Sequence, residues 1–169
     1  DKIQVIVPTS KEGYDNAVQM AEAQKKRAGV PCEVKVVIDE NKEGWVAMHN
    51  KCFRESDADY DVYSCADYFP GGEWLRIAMA VIKDHRCTVV GLNDGKWFGT
   101  IATVGLVDRK RWTQYKGDLF FPGYKNHFAD TELTQRAMKI KQYQYSPHSI
   151  LIEIDFRIPK KGVTPEDRV

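Results

Sequence analysis

Short apolar runs alternate with segments of helical period along the whole chain, and this alternation leaves few architectures open. Residues 3–7, 34–38, 60–66, 88–92, 100–107 and 150–154 are rich in Val, Ile, Leu and Tyr, and each is short enough to be a strand. Between them Tyr14, Ala17, Val18, Ala21 and Ala28 share a helical face, as do Trp45, Met48, His49, Cys52 and Phe53. Leu75, Ala78, Met79 and Ile82 form a third such face, and Leu133, Ala137 and Ile140 a fourth. The order predicts an α/β domain: a mostly parallel central sheet with helices on both faces, a Rossmann-like layering. A length of 169 residues suits one domain, read as a compact body over 1–155 followed by a polar, turn-rich tail over 156–169.

Bulk properties exclude several classes of partner. The formal net charge of +1 gives no electrostatic reason to expect nucleic acid or a membrane surface. No apolar run approaches a membrane span, and no signal-peptide pattern opens the sequence. Cys32, Cys52, Cys65 and Cys87 are widely spaced without a CxxC pair, the pattern of reduced core thiols, which predicts a cytoplasmic setting.

In a parallel α/β sheet, ligands bind outside the carboxyl ends of the strands. Thr9, Asp39 and Asp67 each follow an apolar run at such an end, so three polar residues are expected on one rim. Nucleotide motifs with a fixed local signature are missing: no GxGxxG follows the first strand, and there is no P-loop lysine or GxSxG elbow. His49, His85, His127 and His148 lack metal-binding spacing. What remains is carboxylates. Asp67 lies where a strand gives way to Pro70-Gly71-Gly72, placed either to offer an oxygen ligand to a divalent cation or to bond its own turn. Asp130 opens a helix and, taken alone, reads as an N-cap.

The order of these features resembles the GT-A glycosyltransferases, in particular the large inverting family 2 group, over residues 3–153. Val5-Ile6-Val7-Pro8-Thr9-Ser10 is similar to that family's opening strand and base-contacting loop. Val36-Val37-Ile38-Asp39 resembles its second strand with a terminal acid for the nucleotide base. Asn50 falls in the helix leading to the metal motif, and Asp67-Tyr68-Phe69-Pro70 looks like the end of that motif and its proline turn. Phe128-Ala129-Asp130-Thr131-Glu132-Leu133-Thr134-Gln135-Arg136 is the most specific match, similar to the family's acidic segment that supplies the base. One departure is plain: the usual Asp-x-Asp reads Cys65-Ala66-Asp67, and a neutral thiol is a poor ligand for a hard cation. A histidine common at the end of the last core strand is replaced by Glu153, with His148 a few residues earlier.

The resemblance implies sugar transfer from a nucleotide-diphosphate sugar, a UDP-sugar first, to a saccharide, lipid-linked or protein hydroxyl, with inversion. It implies Asp130 as general base; Pro8, Thr9, Asp39, Asn50 and Ala66 at the nucleotide; and Asp67 at Mn²⁺ or Mg²⁺, with Glu153 or His148 in addition. Glu132 and Trp97 are then the sugar or acceptor residues. The alternative is a non-catalytic nucleotide- or sugar-binding domain of the same fold, which Cys65 favours and the intact Asp130 segment disfavours.

Overall fold

The computed structural model describes residues 1–154; the expected tail, 156–169, lies outside the described residues. The chain runs β1 (Ile3–Thr9), α1 (Tyr14–Lys26), β2 (Glu33–Ile38), α2 (Trp45–Glu55), β3 (Tyr60–Tyr63), β4 (Tyr68–Pro70), α3 (Trp74–Asp84), β5 (Val89–Asn93), β6 (Gly105–Asp108), α4 (Ala129–Lys139) and β7 (Tyr143–Glu153). The strands form one sheet in the order β2-β1-β3-β6-β5-β7-β4. β1 pairs in parallel with β2 and β3, and β5 in parallel with β7. β6 is wedged antiparallel between β3 and β5, and β4 closes the edge antiparallel to β7. Five strands therefore share a direction, as the alternating pattern predicts, and their carboxyl ends form one rim.

Alternation along the central strands splits the core into two layers. Val62, Val90 and Leu106 join α1 and α3 residues such as Ala17, Leu75 and Ala78 on one face. Their neighbours Tyr63, Val89 and Val107 join Val46 and Phe53 of α2 and Leu133 and Ala137 of α4 on the other. Each helix thus packs apolar residues against the sheet, two helices per face, while Tyr14 and Ile140, expected on those stripes, stay exposed. Among the described residues no helix is long and apolar enough to cross a membrane, and the four cysteines are all free thiols.

Three expectations about elements need correction. Residues 100–107 alternate like a strand, yet only Gly105–Asp108 pairs, as β6. Phe98 (φ 49°) and Gly99 (φ 83°) turn the chain, and the Ala102 amide bonds the Thr134 hydroxyl in place of a neighbouring strand. The segment at Pro70 is not simply a turn: Tyr68–Pro70 forms the edge strand, where the missing proline N–H costs nothing. The third strand stops at Tyr63, short of Ala66, because the carbonyls of Ser64 and Cys65 face side chains of α2 and α1.

Candidate functional site

The carboxyl ends of β1 and β2 open into a cleft of about 370 Å³ whose walls include Pro8, Thr9, Asp39, Trp45 and Met48, with Lys42 and Lys125 at its rim. The Asp39 amide donates to the Thr9 carbonyl (2.9 Å), stitching the two strand ends together. The Asp39 carboxylate accepts the amides of Glu43 and Gly44, both at 2.9 Å, and so shapes the entry into α2. Each carboxylate oxygen takes more than one hydrogen bond, so acceptor capacity remains. From the opposite side, the Asn126 side-chain oxygen accepts the Trp45 amide (2.8 Å) and the Lys125 carbonyl accepts that of Val46 (3.1 Å). Gly44 is required at this seam: its φ is 103°, and a Cβ would sit 2.7 Å from the Lys125 carbonyl oxygen. The fold thus brings Pro8, Thr9 and Asp39 together over an indole and a thioether, a floor suited to a flat, hydrogen-bonding ligand.

Asn50 is not among the residues lining this cleft. It is 3% exposed, and its carboxamide is occupied at both ends: the nitrogen donates to the Phe120 carbonyl (3.1 Å) and the oxygen accepts the Phe120 amide (2.9 Å). It fastens the connection that leads to α4 and also lines a neighbouring cavity with Met48, Lys51 and Tyr124. Ala66 packs against the α1/α3 core.

Beyond β3 the chain reaches Cys65 and Asp67. The Cys65 sulfur accepts the Trp45 indole N–H at 3.1 Å. Burial, and next the charge of Asp67, push this thiol far above its ordinary range; Glu153 and Asp130 add to the shift. The thiol is therefore neutral. Glu153 stands opposite Tyr68 in the β4–β7 ladder, and the Ile154 amide donates to the Asp67 carbonyl (2.6 Å), so Glu153 belongs to this corner. His148 does not. It is exposed on a three-residue excursion of β7, between the pairs Leu92↔Ser146 and Asn93↔Ile150.

Among the described residues no group of three His, Cys, Asp or Glu side chains is arranged to hold a metal ion. A small hard cation bound through one or two carboxylates plus substrate phosphates needs no such cage. Asp67, on the loop after β3 and tied through its carbonyl to the Ile154 amide, could supply one such carboxylate, and the neutral, indole-bonded Cys65 could not.

Asp130 lies in the first turn of α4, after Phe128, which holds φ 69° while its ring is exposed. Its carboxylate accepts the Thr131 amide (2.8 Å). Burial raises its pKa above the ordinary carboxylate value against that bond and the charge of His127, and the charge of Asp94 raises it further. A carboxylate so placed is a stronger base than one in water. The Thr134 hydroxyl donates to the Asp130 carbonyl (2.7 Å) and accepts the Ala102 amide (2.9 Å), tying this turn to the 94–104 loop. Glu132, on the same turn, buries one carboxylate oxygen without a hydrogen-bond partner among the described residues. Trp97 is 41% exposed, with the Lys96 ammonium 5.8 Å from its ring centre.

Sequence reasoning missed Asp94. It is 2% exposed, and its carboxylate accepts the amides of Lys96 and Trp97 and the Thr103 hydroxyl (2.8, 2.9 and 2.6 Å), closing the loop that carries Trp97. The Asn93-Asp94-Gly95 turn signal after β5 was the cue for it.

No family model matches the chain, and no curated protein sequence matches it. Solved structures do. S. aureus TarS aligns with a TM-score of 0.72 at 15% identity, over 99% of this chain and 38% of that one. The mannosyltransferase PcManGT from Pyrobaculum calidifontis, in complex with GDP-Man and Mn²⁺, gives 0.70 at 13% identity over 95% and 58%. A Drosophila β-1,4-galactosyltransferase 7 mutant, in complex with manganese, UDP-Gal and xylobiose, gives 0.64 at 15% over 99% and 78%. The chain spans 38% and 60% of the length of two TarS structures. At such identities the likeness speaks to architecture, and on architecture it is unambiguous: the chain has the GT-A glycosyltransferase fold.

Proposed function

We propose that this domain transfers a sugar from a nucleotide-diphosphate sugar, a UDP-sugar first, to an acceptor hydroxyl with inversion. The observation that carries the reading is Asp130. Its carboxylate accepts the Thr131 amide in the first turn of α4, burial raises its pKa, and Thr134 ties its turn to the loop that carries Trp97. A base and a cation-binding corner on one rim are what such a transfer needs. The nucleotide base and ribose take the cleft of Pro8, Thr9 and Asp39. Asp67, with Glu153 beside it, faces the diphosphate and would hold a Mn²⁺ or Mg²⁺, which would supply positive charge to the leaving group. Asp130 accepts the proton as the acceptor oxygen bonds to the anomeric carbon. The carbon–oxygen bond to the diphosphate breaks, and its electron pair leaves with the phosphate oxygen. Glu132 and Trp97 contact the sugar or the acceptor. The acceptor class stays open among saccharide, lipid-linked and protein hydroxyls, and the free thiols suit a reducing, cytoplasmic setting.

One observation favours the non-catalytic reading: the first position of the metal motif is a neutral, indole-bonded thiol. Nucleotide release from UDP-Glc, UDP-GlcNAc, UDP-Gal and GDP-Man, without acceptor and with Mn²⁺, separates the two. The enzyme releases nucleotide slowly to water, and Asp130→Asn stops that release while keeping nucleotide affinity within about twofold. Release by the variant at the wild-type rate removes Asp130 from the mechanism; no release by the wild type from any donor supports the binding domain.

A further inference from the structure

A buried glutamine on α1 grips the loop that presents Asp67 from behind. Gln24 is fully buried beneath the sheet's rim. Its side-chain nitrogen donates to the carbonyls of Cys65 (3.3 Å) and Tyr68 (2.9 Å), the residues two before and one after Asp67. Its side-chain oxygen accepts the Ser64 hydroxyl at 3.1 Å. Both amide hydrogens are thereby used, and the carboxamide spans the loop like a bracket. Gln24 is itself fixed, because its own carbonyl accepts the Trp74 indole N–H at 2.9 Å. Flanking residues extend the grip: the His49 ring nitrogen donates to the Ser64 carbonyl (3.2 Å) and the Arg27 guanidinium to that of Pro70 (2.8 Å).

Four carbonyls around Asp67, those of Ser64, Cys65, Tyr68 and Pro70, are thus held by side chains of α1, of Arg27 just after it, and of α2. The loop cannot shift without leaving buried polar groups unpaired, which is costly. A carboxamide in an apolar layer is itself expensive to desolvate, and an aliphatic side chain would fill the same space. Its presence is explained by what it holds.

We infer that Gln24 is a positioning residue for the diphosphate end of the site: it sets where the Asp67 carboxylate stands relative to the nucleotide cleft. It touches no ligand and acts through Asp67. The inference rests on the reading of Asp67 as the cation-binding carboxylate.

The test measures UDP and GDP affinity by calorimetry, in Mn²⁺ and in EDTA, for wild type, Gln24→Met and Ser64→Ala. Methionine keeps the volume and the unbranched shape and removes all three side-chain bonds; Ser64→Ala removes one of them and is the milder change should the first fail to fold. The readout is the ratio of Kd in EDTA to Kd in Mn²⁺. The wild type shows a ratio well above one. Gln24→Met lowers it by about tenfold or more, in keeping with the loss of a residue that orients a metal ligand, and Ser64→Ala lowers it by less. Affinity in EDTA stays within about twofold, since the base cleft is intact. A wild-type ratio in the variants, or an equal loss of affinity in Mn²⁺ and EDTA, overturns the positioning role and leaves the metal reading standing. A wild-type ratio of one, or no binding of either nucleotide, overturns the metal reading and this inference with it.

Discussion

Replacing Asn50 by alanine separates its two readings, nucleotide contact and structural clasp. In the structure its carboxamide closes a two-bond ring with the Phe120 backbone inside the core, at 2.9 and 3.1 Å. Phe120 is wholly buried, and its ring packs 4.9 Å from Trp45 and 5.0 Å from Tyr63, between centres. The amide and carbonyl that the truncation orphans belong to this buried residue. Each buried backbone group left unpaired costs roughly 1–3 kcal/mol, so the pair costs about 2–6 kcal/mol. Domains of this size hold only about 5–15 kcal/mol in total. With a urea m-value of roughly 2 kcal/mol/M, the unfolding midpoint falls by about 1–3 M. Urea denaturation followed by tryptophan fluorescence reads the shift, because Trp45 lies against the disturbed ring. Calorimetry on the folded variant without urea reads nucleotide affinity, which stays within about twofold. An unchanged midpoint with lost nucleotide affinity would refute the clasp and return Asn50 to the ligand.

Two pH dependences follow from buried groups. Burial raises Asp61 to about 7 against the Ser56 hydroxyl and Arg109, and lowers His49 to about 3 against its bond to Ser64. The folded state binds Asp61's proton where the unfolded chain has released it, so that term favours the fold below about pH 4 and is lost as pH rises to about 7. His49 acts in the opposite sense: folded it stays neutral, so its term is full above about pH 6.5 and is lost as pH falls towards 3. The two oppose each other, and Asp61→Asn leaves His49 alone. The variant's stability therefore climbs more steeply than the wild type's between pH 4 and 6.5, as chemical denaturation across that range would record; parallel curves would contradict the assignment. For the catalytic reading, the raised pKa of Asp130 places the acid limb of donor turnover above the ordinary aspartate range, and a limb at or below that range contradicts it.

The layout of the rim was legible in the sequence because it depends on local signals. Apolar runs ending at Thr9 and Asp39 become adjacent parallel strands, and parallel strands bring their ends to one place. The 94–104 loop was not legible. Its alternating residues imitate a strand, and what prevents pairing is distant: Thr134 on α4 takes the Ala102 amide, and Tyr143 on β7 holds the Gly99 carbonyl. Gln24 was hidden for a similar reason. A glutamine among lysines on a helix reads as solvated surface, and only the tertiary arrangement shows it buried against the loop from β3. His148 and Glu153 could not be ranked from sequence, since a three-residue excursion in β7 decides which of them stands beside the Asp67 loop. The edge strand at Tyr68 was disguised by its proline, which reads as a stop unless the strand is known to lie at an edge.

The central claim is that the cleft between β1, β2 and α2 receives the nucleotide of a diphosphate sugar. Thermal unfolding with UDP, GDP, TDP and CMP, each with Mn²⁺ and with EDTA, tests it most directly, because a ligand of the folded state raises the midpoint by mass action. One nucleoside diphosphate should raise the midpoint, more in Mn²⁺ than in EDTA, and Asp39→Ala should abolish the rise. No shift with any nucleotide, or a shift that survives Asp39→Ala in full, would contradict the account.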